Sequence, residues 1–267
     1  MGARRPAAAR PVLRGALACR AGLEKHHEFA DFVVDLQQRI CSTAEEADGK
    51  GKFIYDKWDR PNGMGYGITR VLEGGNLWEK AACSVSVVRG ELSADRAAAM
   101  SSRGRDAEAG QAYAAAACSL VFHSASPMVP TFRADVRHFE IEGGDGWYGG
   151  GADLTPYYLF DEDATAFHDF YKKVCDAHDS KAYGRFKKWC DDYFFIPARK
   201  EHRGVGGVFF DDLITMVNLL ARRRCSHAAL LSNHCPYGRS SGGVCGQASD
   251  AYDLALLRTM AQIPCPS

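Results

Sequence analysis

The chain has 267 residues, 46% of them hydrophobic and 25% charged, with 33 Lys plus Arg against 33 Asp plus Glu. That length and apolar content support a sizeable core in one domain or two small ones, and the balanced charge gives no argument for nucleic acid or an anionic membrane as partner. No apolar run approaches the roughly 18 residues of a transmembrane helix, and ten cysteines without a CxxC pair argue against a thioredoxin motif or a zinc finger and for reduced, buried thiols.

Residues 1–22 carry five arginines and no acid, the bias of an organelle transit peptide or, equally, a disordered tail. From Glu24 to Ala47 the apolar residues Phe29, Phe32, Val33, Leu36 and Ile40 recur at helical spacing, and Asp48-Gly49 supplies a stop. After a loop from Arg60 to Gly65, the stretches Tyr66 to Leu72 and Leu77 to Val88 read as a β-hairpin around Glu73-Gly74-Gly75-Asn76. Ser93 caps a short helix to Arg103. Strand patterns follow at Tyr113 to Phe122, Phe132 to Ile141 and Trp147 to Gly151, and their short connections imply an antiparallel sheet.

Two helices are expected next, over Asp161 to Ala177 and Tyr183 to Phe195, with Pro197 closing the second. Val205 to Phe210 reads as a further strand, and Asp211-Asp212 as the start of a helix running to Leu220. The expected class is α+β. Residues 221–267 show no sustained period. The cysteines and histidines among them (Cys225, His227, His234, Cys235, Cys245) match no closed zinc spacing.

Three segments carry chemistry. In Trp147-Tyr148-Gly149-Gly150-Gly151-Ala152-Asp153 a carboxylate ends a run of three glycines, residues that allow close approach to a ligand or positive φ; a hairpin turn is the plainer reading. On the strand Phe132 to Glu140, Arg133, Asp135, Arg137 and Phe139 share one face. Such a row faces either solvent or a polar ligand, and arginine grips carboxylates bidentately. The glycine-rich stretch Arg203-Gly204-Val205-Gly206-Gly207 precedes a strand, whereas a dinucleotide fingerprint needs a strand before and a helix after, so no nucleotide site is assigned. His123 and His168 read as satisfied histidines rather than ligands.

In sequence order the segments LQQRIC, DGKGKF, EKAACSVSVV, SLVFHSASPMVPTF, GWYGGGADLTPYY, FKKWCDDYFFIP and RGVGGVFFDDL resemble the oxygen-dependent coproporphyrinogen III oxidase family. The resemblance covers roughly Phe29 to Leu213, within a homologous domain taken as 23–220. It implies a large antiparallel sheet flanked by helices on both sides, usually as a homodimer. It also implies oxidative decarboxylation of two propionates of coproporphyrinogen III in haem and chlorophyll synthesis, with O₂ as co-substrate and neither organic cofactor nor metal.

By the same resemblance Asp153 anchors the pyrrole N–H groups from the macrocycle centre, Arg137 pairs with a propionate, and Arg203 is a further essential arginine. These three are the expected catalytic residues, and Ser119, Asp135 and Val136 the expected pocket lining. The chain departs from the family where Arg133 and Ala198 replace histidines, where His123-Ser124-Ala125-Ser126-Pro127 lacks an arginine, and beyond Leu220, where the family's closing strands have no counterpart. Arg133 cannot exchange protons near neutral pH. The alternatives to an active oxidase are therefore an inactive tetrapyrrole-binding homologue and an incomplete fragment. Family members occur in plastids, mitochondria and cytosol; the arginine-rich start favours an organelle.

Overall fold

The computed structural model describes residues 24–213 apart from 145 and 178. The leader 1–22, the tail 221–267 with its cysteines and histidines, and residues 214–220 of the expected last helix lie outside the described residues. In chain order the elements are α1 (Glu24–Asp48), β1 (Ile54–Asp59), β2 (Gly65–Glu73), β3 (Trp78–Glu91), α2 (Ala94–Ser101), β4 (Ala112–Ser124), β5 (Thr131–Ile141), β6 (Gly146–Thr155), α3 (Asp161–Asp176), α4 (Ala182–Phe194), β7 (Phe195–Ile196), β8 (Glu201–His202) and β9 (Gly206–Leu213). Seven strands form one antiparallel sheet in the order β1-β2-β3-β4-β5-β6-β9, and β7 and β8 make a separate ribbon. No helix among the described residues is long and apolar enough to cross a membrane.

Strand alternation sorts the sheet into two faces of opposite character. Ala116, Cys118, Leu120 and Phe122 of β4, with Phe132, Ala134 and Val136 of β5, are buried in the main core. On that face α1 contributes Phe29, Val33, Leu36 and Ile40, α3 contributes Tyr171 and α4 contributes Phe186. Aromatic contacts tie the layers: Phe132 to Phe167, Phe29 to His138 and Phe186 to Phe210.

Gln37, buried in the apolar stripe of α1, donates its amide to the carbonyls of Ile68 and Cys83, each at 2.7 Å, and so pins the helix across β2 and β3. The opposite face is covered at one end by α2, whose Ala97 and Met100 pack with Tyr113, Ile141 and Trp147. Helices therefore flank the sheet on both sides, unequally.

Asp48 closes α1 and clasps the hairpin. Its carboxylate accepts the backbone N–H groups of Gly51, Asn76, Leu77 and Trp78 at 2.5–3.0 Å. Burial would raise its pKa, but the bonds from Trp78, Gly51, Asn76 and Leu77 win and lower it to about 2.

One expectation needs correction, and one strand had no signal in the sequence. Asp211 and Asp212 do not start a helix: β9 continues through Leu213, and the two aspartates bulge opposite Gly149, between the pairs Gly150↔Phe210 and Tyr148↔Leu213. Asp212 takes φ +57°, a conformation that aspartate tolerates better than most side chains. The segment before Arg60, which no sequence pattern marks, forms edge strand β1; it carries almost no buried side chain and hence no apolar alternation. The thiols of Cys41, Cys83, Cys118, Cys175 and Cys190 are free and buried, as expected.

Candidate active site

The face of the sheet away from α1 is lined by small and charged residues. In register across six strands lie Thr69, Ser84, Ser119, Asp135, Gly151 and Phe209. The next two rows bring Ala117, Arg137 and Gly149 together, and Val121, Arg133, Asp153 and Gly207. Ser119 is exposed and Arg133, Asp135 and Arg137 are half-buried. From β3 to β6 this floor spans about 14 Å at the usual strand spacing. Small residues occupy its middle at Ser84, Ala117 and Ser119, and its arginines and carboxylates gather at one end, where Arg137 lies 5.7 Å over the Phe209 ring.

Asp153 lies at the heart of that end and is 2% exposed. Its Oδ2 accepts a hydrogen bond from Arg203 Nη2 at 2.7 Å, while Arg133 Nη1 stands 3.6 Å from Oδ1. Oδ1 is buried without a hydrogen-bond partner among the described residues. Burial pushes the carboxyl above the usual carboxylate range, outweighing the opposing pull of Arg203 and then Arg133.

Arg203 is placed by the β7–β8 ribbon. Its backbone N–H donates to the Phe194 carbonyl, and its guanidinium stacks 3.8 Å from the Phe194 ring centroid. Gly204 then turns the chain into β9 at φ +59°, with a Cβ there only 2.1 Å from the Leu154 carbonyl oxygen. No other residue type fits that turn.

Arg137 donates from Nη1 to Asp135 Oδ2 at 2.6 Å and lies 3.5 Å from Asp211 across the sheet. The bulge in β9 aims Asp211 at this pair. Gly149 makes the meeting feasible, because a Cβ there would lie 2.6 Å from both Arg137 Nε and Asp211 Oδ1. None of the three successive glycines has positive φ, so close approach rather than left-handed backbone is their purpose. Arg105 Nη2 holds Asp212 at 3.2 Å and the guanidinium packs over Trp147.

Of the expected residues, Asp153, Arg137, Arg203, Asp135 and Ser119 share this face. Val136 does not: its side chain is buried in the main core on the α1 side, so only its backbone borders the site. Ala198 is exposed in the β7–β8 turn. His123 pairs with Thr131 Oγ1 at 3.1 Å, and His168 with the Val205 carbonyl and the Tyr183 hydroxyl at 3.0 Å each, so both are satisfied histidines. Asp211 and Phe194 were not expected at the site; Asp211 had been given to a helix, and nothing in the local pattern singles out Phe194 among its aromatic neighbours.

A family model described as coproporphyrinogen III oxidase matches residues 28–236. The chain belongs to the coproporphyrinogen III oxidase family. It is 44% identical over 194 residues to the oxygen-dependent coproporphyrinogen-III oxidase of Drosophila melanogaster, covering 70% of this chain and 50% of that protein. It is 45% identical over 189 residues to the mitochondrial protein of that name from Homo sapiens, with coverage of 68% and 41%. A Francisella tularensis relative of the same name matches at 44% over 201 residues, with coverage of 71% and 64%. The chain spans about half the length of the curated relatives it matches. All of the charged face just described falls within the stretch that matches the coproporphyrinogen III oxidase model.

Proposed function

We propose that the chain catalyses oxygen-dependent oxidative decarboxylation of coproporphyrinogen III to protoporphyrinogen IX. The observation that carries this reading is Asp153: a buried carboxylate with one oxygen fixed by Arg203 and the other without a hydrogen bond among the described residues, on a sheet face beside further arginines. A porphyrinogen presents pyrrole N–H donors toward its centre and carboxylates at its rim, and this face offers an acceptor and cations to match.

The chemistry balances without a redox group from the protein. Each propionate loses CO₂ and a hydride equivalent to become a vinyl group, and O₂ with one proton takes up that equivalent as H₂O₂. Decarboxylation follows electron withdrawal from the pyrrole, so positive charge develops on the ring, and ionised Asp153 stabilises it. Arg137 and Arg203 orient the carboxylates, and the floor of Ser84, Ala117 and Ser119 supports the ring. On this reading O₂ is the co-substrate and no organic cofactor or metal takes part. Assembly as a homodimer and residence in a plastid or mitochondrion, with the cytoplasm as alternative, rest on the family resemblance and the arginine-rich start. Relatives named mitochondrial and chloroplastic accord with an organelle.

A second reading, an inactive tetrapyrrole binder, draws on Arg133, which replaces a family histidine with a group that exchanges no protons near neutral pH. The test is anaerobic mixing of the purified chain with coproporphyrinogen III followed by admission of O₂. Protoporphyrinogen IX above a protein-free blank supports the oxidase. Saturable binding with no product selects the binder, and neither binding nor product removes both.

A further inference from the structure

Arg133 differs from the other two arginines of the face. Arg203 donates a 2.7 Å hydrogen bond to Asp153 and is stacked on Phe194, and Arg137 donates at 2.6 Å to Asp135. The Arg133 guanidinium instead stands midway between two carboxylates, 3.6 Å from Asp153 Oδ1 and 3.6 Å from Asp135 Oδ1, beyond hydrogen-bond distance of either. It is the most exposed of the three at 41%, and the Phe194 ring lies 5.9 Å from it. A planar fork with five donors that reaches two acceptors only at ion-pair distance retains its capacity for a bidentate carboxylate.

The charge balance of the cluster allows such a guest. Arg103, Arg105, Arg133, Arg137 and Arg203 are five cations, and Asp135, Asp153, Asp211 and Asp212 are four anions, joined by contacts of 2.6–3.9 Å. One positive charge is in surplus. Of the three guanidiniums that touch Asp135 or Asp153, Arg133 has the longest contacts, 3.6 Å against 2.6 Å for Arg137 and 2.7 Å for Arg203.

Resting on the tetrapyrrole reading above, we infer that Arg133 is a third carboxylate grip, which exchanges its loose contact with Asp153 Oδ1 for a substrate propionate. The ligand's pyrrole N–H takes the unbonded Oδ1, so both halves of the 3.6 Å pair gain a better partner. No covalent step is involved; one weak, half-solvated ion pair opens and two charge-assisted hydrogen-bonded contacts form. Arg133 thereby sets specificity for the acidic rim of the ring.

The full chain is titrated with coproporphyrin III, the oxidised ring with the same four propionates, and with its tetra-amide, in which every carboxylate is neutral. Arg133→Gln is expected to weaken binding of the tetra-acid by about tenfold or more while shifting the tetra-amide by about twofold at most. Arg133→Lys, which keeps the charge and loses the fork, falls between. Equal loss for acid and amide, or an Arg133→Gln protein that binds the acid as tightly as the parent chain, overturns the assignment. If Arg133→Gln fails to give a cooperative unfolding transition, Arg133→Lys carries the same acid-to-amide comparison. A parent chain that binds neither ring refutes the tetrapyrrole reading itself; a parent that binds the acid while both variants match it refutes only the role of Arg133.

Discussion

Arg203 and Asp153, fifty residues apart in sequence, meet at 2.7 Å through Oδ2 alone. One end of the buried carboxylate is thereby fixed, while Oδ1 makes no hydrogen bond among the described residues and has Arg133 Nη1 at 3.6 Å. The pair is assembled around three elements: β6 supplies the aspartate, the residue that follows β8 is the arginine, and α4 supplies the Phe194 ring against which it stacks.

The pH dependence follows from this arrangement. Burial raises the Asp153 pKa against the pull of Arg203 and Arg133. On the proposed function the ionised form is the N–H acceptor, so kcat/KM is expected to fall as pH drops through a value above the usual carboxylate range. Arg203→Gln removes the stronger of the two lowering influences, and its acid limb shifts to higher pH. A limb unmoved or moved to lower pH counts against the assignment. Stability runs the other way: a raised folded pKa favours the fold at low pH, and that contribution is lost as pH rises through it.

Gly149→Ala tests the close approach of Arg137 and Asp211. The new Cβ meets the ends of flexible side chains, so stability changes by less than about 1 kcal/mol, but Arg137 must move. KM is expected to rise about tenfold, the loss of one charge-assisted contact. Gly184→Ala is the control. Gly184 lies in α4 with nothing within 4 Å of a Cβ, so it should leave KM unchanged and stabilise by about 0.5–1 kcal/mol. Equal KM values for the two variants would remove the packing argument.

Asp48 carries a stability prediction away from the site. Asp48→Ala strands the N–H groups of Gly51, Leu77 and Trp78 and is expected to cost about 2–4 kcal/mol in urea unfolding. Because the folded pKa is depressed to about 2 from 3.8, its stabilisation is present above roughly pH 4 and is lost as pH falls toward 2. A parent chain and variant with parallel stability profiles across that window would refute the clasp.

Much of this was legible because side-chain period is a local signal. The alternation Arg133, Asp135, Arg137, Phe139 placed the charged row on one face, and the stripe from Phe29 to Ile40 placed α1. Edge strand β1 was not, since Ile54 and Tyr55 are exposed and its face has nothing to hide. The role of Asp211 depends on a bulge, which needs the partner strand to define it. Val136 shows the limit of carrying positions over from relatives: a residue can border a pocket through its backbone while its side chain serves the core.

The central claim is that Asp153 Oδ1 receives the ring's N–H groups. Asp153→Asn keeps the shape and presents at most one acceptor, with an NH₂ in place of the second. Steady-state conversion of coproporphyrinogen III under O₂ is expected to fall at least about 10²-fold in kcat/KM, with the unfolding transition still cooperative. Conversion by Asp153→Asn at the parent rate would contradict the account.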